Sequence, residues 1–98
     1  MSGTLLGYWE RVRDNHMVEF IRSGSDIRGY IVDIGKILEE YHFRVGELTV
    51  IVQEGDQNTY IGKVKCRDRD GLSWWEDTTF YIDGNKATVR DDIWRQVL

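Results

Sequence analysis

Tyr60-Ile61-Gly62-Lys63-Val64-Lys65-Cys66-Arg67 is the stretch that decides the fold. Tyr60, Gly62, Val64 and Cys66 share one face of an extended chain, against Lys63, Lys65 and Arg67, which is the period of two that a half-buried strand requires. The same alternation runs through Val18 to Ile21, Ile27 to Ile34, Leu48 to Val52, and Thr78 to Ile82 followed by Ala87 to Val89. Leu5 to Val12 adds a strand at the start. Proline is absent, so reversals fall to Gly, Asp, Asn and Ser, at Asp14-Asn15, Ser23 to Asp26, Gly46, Glu54 to Asp56, Asp70-Gly71 and Asp83-Gly84-Asn85. Breaks separated by roughly 6 to 10 residues predict antiparallel hairpins. The expected fold is mainly β: an antiparallel meander of seven to eight strands, curved strongly or closed into a small barrel.

Two segments read less simply. Ile37-Leu38-Glu39-Glu40-Tyr41 fits one helical turn, or a strand with Ile37, Tyr41 and Phe43 inward; the alternation continuing through Tyr41, Phe43 and Val45 favours the strand. At the C-terminus, Asp91 or Asp92 is placed to cap a short helix carrying Ile93, Trp94, Val97 and Leu98 at helical spacing.

The composition suits one domain spanning residues 1–98, with 41% apolar, 31% charged and 12% aromatic side chains. Four Trp, five Tyr and three Phe predict an aromatic-rich core. Net charge is −4 with the 13 basic residues dispersed, which argues against a nucleic-acid partner. No apolar run approaches the about 18 residues that a membrane-spanning helix needs. Met1-Ser2-Gly3 does not begin a basic-then-apolar leader, so the cytoplasm is the expected location. Cys66 is the single cysteine and the usual paired Cys or His metal ligands are missing, so neither an internal disulfide, a metal nor a cofactor is implied.

No motif fixes a reaction. His16 follows Asp14-Asn15 as an exposed turn residue, and His42 sits between Tyr41 and Phe43 without a Ser or Cys nucleophile motif. Asp68-Arg69-Asp70-Gly71 lacks the remaining ligands of a calcium loop and reads as a polar hairpin turn. Trp74-Trp75-Glu76-Asp77 is the most unusual stretch. In a strand the two indoles point to opposite faces, with Glu76 beside Trp74 and Asp77 beside Trp75. A carboxyl held against an indole in a pocket can have its pKa raised and act as a general acid, but one Trp in the core and the other covering an interface is the favoured reading of the pair. Cys66 is expected inward as a small core residue, and Gly62 marks a bend or a place where the backbone approaches another chain.

Gly7-Tyr8-Trp9, followed by hairpin-length strands, resembles the Gly-x-Trp opening of lipocalin-like (calycin) β-barrels. That resemblance implies an up-and-down barrel around a small apolar ligand, with a late basic residue, Arg95 here, against Trp9. The leading expectation is therefore a non-enzymatic domain binding a small, mostly apolar molecule in a pocket walled by Trp9, Tyr60, Trp74, Trp75 and Phe80. The second is a self-associating module, a homodimer through Trp94, Val97, Leu98 or a strand edge. The third is a small enzyme using Glu76, Asp77 or His42.

Overall fold

The computed structural model describes residues 4–35 and 38–97. Eight strands follow one another: β1 (Gly7–Arg11), β2 (Met17–Ser23), β3 (Asp26–Asp33), β4 (Leu48–Glu54), β5 (Thr59–Arg67), β6 (Ser73–Asp83), β7 (Lys86–Val89) and β8 (Asp92–Val97). Each pairs antiparallel with its sequence neighbours, and β8 returns to β1 to close the barrel. Closure removes every free edge, the hazard of an open sheet.

The turns follow from the residues that make them. Gly24 and Gly84 sit at φ 64 in the two-residue links between β2 and β3 and between β6 and β7, a conformation that costs glycine nothing. The period-two reading holds along the strands. Trp9, Val18, Phe20, Ile27, Ile31, Val50, Val52, Phe80, Ile82, Ala87, Val89 and Trp94 are buried inside the barrel, with Tyr60 beside them. Phe20 and Phe80 meet edge to face at 5.5 Å, a favourable arrangement of ring quadrupoles. An aromatic-rich core is what the composition predicts.

Gly62 faces the interior between Val52 and Thr78. A Cβ there would collide with the Ile51 carbonyl and lie 2.7 Å from the Val52 Cα, so glycine is required by close backbone approach of β4.

Two expectations are corrected. The C-terminal segment is not a helix: Asp92–Val97 is strand β8, with Val89 opposite Asp92 and Thr88 opposite Ile93 across an Arg90-Asp91 turn. Arg90 takes φ 55, so a residue without glycine's freedom makes the reversal. Trp94 accordingly points inward and Val97 outward, where a helix would put both on one side; Leu98 lies outside the described residues. The second correction concerns the segment before β4, which holds a single 3-10 turn at Leu38–Tyr41 rather than a strand. His42 at φ 65 and Gly46 at φ 89 break any extended run there. Ile37 lies outside the described residues.

Candidate functional site

Antiparallel alternation gathers the β1–β2, β3–β4, β5–β6 and β7–β8 connections at one end of the barrel. There the interior is not filled. A chamber of about 340 Å³ opens at this mouth, in the size range of small-molecule sites. Val50, Val64, Phe80, Val89 and Trp94 supply its apolar lining, while Phe43 and Tyr41 come from the β3–β4 connection. Bulges accompany the opening: β3 carries one extra residue at Val32 and β4 one at Thr49, which is buried and lines the chamber. Bulges bend a strand and re-aim its side chains, and they are concentrated at barrel rims.

The polar lining is paired. Arg11 forks onto Asp14, Nε to Oδ1 at 3.0 Å and Nη2 to Oδ2 at 2.7 Å. Arg13 meets Asp92 at 3.1 Å. Lys65 and Arg67 converge on Glu47, Lys65 Nζ at 3.2 Å and Arg67 through both terminal nitrogens. Arg90 donates to Glu76 at 2.6 Å. Arg67 also covers the Phe43 ring at 4.8 Å and Arg11 the Trp94 ring at 5.6 Å, so guanidinium planes form part of the rim. Burial pushes the Asp14 and Glu47 carboxyls up, but hydrogen bonds from Arg11 and from Arg67 and Lys65 outweigh it and hold both below the usual range.

His16 is the unexpected member. It is 3% exposed, lines the chamber and stands edge-on to Trp94 at 5.7 Å, where the sequence suggested an exposed turn residue. The Asp14 carboxylate accepts the His16 backbone N–H at 3.2 Å and so folds the turn that delivers the ring inward. Burial, with the Arg11 charge alongside, pulls the imidazole down to about 4. The ring is therefore neutral at pH 7. Its Nδ1 lies 3.0 Å from the Asp33 carbonyl oxygen, which only accepts, so the hydrogen sits on Nδ1 and the lone pair on Nε2. The signal was present in the alternation: His16, Val18 and Phe20 share a face. Thr78 is buried beside the chamber with a hydroxyl that finds no partner among the described residues.

The residues singled out in the sequence are dispersed. Phe80 lines the chamber. Trp9 is fully buried towards the opposite end, its indole N–H donating to the Leu5 carbonyl at 2.8 Å, and Tyr60 is buried at the start of β5. Trp74 and Trp75 do alternate, yet they are 44% and 38% exposed, because they occupy the far end of the long β5–β6 hairpin. Trp75 receives Lys65 at 5.4 Å. Trp74 donates its indole N–H to Glu76 at 2.6 Å, and that bond with the Arg90 contact lowers the Glu76 pKa, opposite to the rise an acid catalyst would use. Asp77 turns to the other face, pairing with Lys63 at 2.9 Å, and His42 Nε2 lies 2.9 Å from the Arg69 carbonyl oxygen. Arg95 is opposite Glu10 on β1 and exposed, so it does not cover Trp9. Cys66 lines the chamber half-buried, and burial raises its thiol pKa, which keeps it protonated and weakly nucleophilic. Asp68 accepts the N–H groups of Asp70 and Leu72, making the hairpin turn.

Among the described residues no group of three His, Cys, Asp or Glu is placed to hold a metal ion, and no helix is long and apolar enough to cross a membrane. No protein-family model matches the chain, and neither a curated protein nor a solved structure is similar enough to count as a match.

Proposed function

We propose that the chain is a non-enzymatic binding domain that holds a small, mostly apolar molecule in the open mouth of its barrel. One observation carries this reading: a chamber of about 340 Å³ with an apolar lining, at the end of the barrel where the β1–β2, β3–β4, β5–β6 and β7–β8 connections lie. Sites of this kind join a largely apolar wall to a few fixed polar groups, and here those groups are held in place by ion pairs and a buried histidine. The closed eight-stranded antiparallel barrel is compatible with a lipocalin-like one, and by that resemblance the ligand sits in the barrel mouth, here without the basic residue over Trp9. Glu76 and Asp77 face opposite sides of β6 and His42 bonds elsewhere, so these groups do not assemble an acid and a base. The free Cys66 thiol suits a reducing compartment, and we place the domain in the cytoplasm.

The uncharged dye N-phenyl-1-naphthylamine tests the reading, since its emission rises on leaving water. The expected result is a saturable increase with one site per chain, weakened more than about tenfold by Val64→Trp, which fills the chamber. Emission that rises without saturating, or binding untouched by Val64→Trp in a folded variant, counts against it.

A further inference from the structure

The charges around the chamber restrict what it can hold. Arg11, Arg13, Lys65, Arg67 and Arg90 each have a carboxylate partner, at Asp14, Asp92, Glu47 and Glu76. Lys65 and Arg67 share Glu47, so five basic groups face four carboxylates, but none of the five is without a partner. An anionic ligand would have to compete with a carboxylate already bound, and a cationic ligand would meet the excess positive charge, each while giving up its own hydration. An uncharged ligand disturbs none of them.

Within this rim of paired charges, His16 is a built polar anchor. The ring is 3% exposed and fixed by its Nδ1 bond to Asp33, and its Nε2 accepts from no donor among the described residues. A neutral, buried acceptor is best met by a ligand O–H or N–H, because the alternative is an acceptor stripped of water and left unpaired.

We infer that the chamber selects an uncharged molecule with an apolar body and one hydroxyl or N–H donor, which His16 Nε2 accepts. This rests on the small-molecule reading above and adds to it the ligand's charge and its hydrogen-bonding sense.

Three compounds with one ring system separate the possibilities by competition against N-phenyl-1-naphthylamine at pH 7: 2-naphthol, 2-methoxynaphthalene, which lacks the donor, and the anion 2-naphthoate. The expected order places 2-naphthol about tenfold ahead of 2-methoxynaphthalene, the worth of one buried hydrogen bond, with 2-naphthoate weakest. His16→Phe should bring 2-naphthol and 2-methoxynaphthalene to within about twofold of each other. Should that variant not fold, the Nε2 resonance of His16 in the unaltered chain serves instead, and is expected to move with 2-naphthol but not with 2-methoxynaphthalene. Equal competition by those two compounds, 2-naphthoate as the strongest competitor, or an unmoved Nε2 resonance at saturation would overturn the inference while leaving a small-molecule chamber in place. Failure of the dye itself to bind saturably removes the chamber reading, and this inference with it.

Discussion

An imidazole taken out of water beside a guanidinium loses proton affinity, and His16 turns that loss into a dependence of stability on pH. In the unfolded chain a histidine takes up its proton near pH 6.5, whereas the buried ring does so at about 4. Between those values the unfolded chain binds the extra proton, so acid favours unfolding across the window and the effect is absent above it. Urea denaturation should show wild-type stability falling by about 2 kcal/mol between pH 7 and pH 5, with the slope much reduced in His16→Phe. A wild-type curve flat over that range would mean that the ring is not buried as described. The low carboxyl pKa values of Asp14 and Glu47 add a separate loss, of the same sign, only as pH falls through the carboxylate range. Gly62 makes a second residue-scale case. Its missing Cβ is what lets β4 and β5 come together, and the obstacle is backbone, which cannot rotate away. Gly62→Ala should cost about 3 kcal/mol or more, or leave no folded protein, by thermal denaturation followed by circular dichroism. A melting curve matching wild type would show that the two strands are not so closely apposed.

At the scale of elements, β8 is where the chain's local spacing and its tertiary role diverge. Ile93, Trp94 and Val97 sit at helical intervals, and a short run of this kind is decided by what it can pair with rather than by its own period. Here β1 and β7 each offer an unpaired edge, and β8 satisfies both. The Arg90-Asp91 reversal was invisible because it uses no glycine, whereas the Gly24 and Gly84 turns were marked by the residues that make them. Strand and helix readings separate cleanly by mutation. Trp94→Ala should cost about 3 to 5 kcal/mol, as buried aromatic truncations do. Val97→Thr should stay within about 0.5 kcal/mol, since that side chain is 37% exposed on the outer wall. Comparable large losses at both positions would favour a helix buried on one side. The β5–β6 hairpin shows the converse: its alternation was legible, and its Trp pair was not placeable, because period two assigns a face but does not say where a strand outruns the barrel.

For the molecule as a whole, closure by the β1–β8 ladder explains how a chain of 98 residues folds without a disulfide: all eight strands are paired on both sides around one aromatic core. The candidate chamber was much less legible than this fold. Its Arg67–Glu47 and Arg13–Asp92 pairs join positions distant in sequence, and only the curvature of the barrel brings them to one mouth. Of the five aromatics that the sequence suggested as pocket walls, Phe80 alone lines that mouth, since Trp9 and Tyr60 pack the other half and Trp74 and Trp75 lie outside it. A residue-resolved NMR titration of the whole chain with N-phenyl-1-naphthylamine shows whether the mouth holds a small uncharged ligand. Saturable shifts are expected at His16, Val64, Thr78, Phe80 and Val89; shifts confined to the outer wall around Ile61, Trp75 and Tyr81, or none at all, would mean that the mouth is not a ligand site.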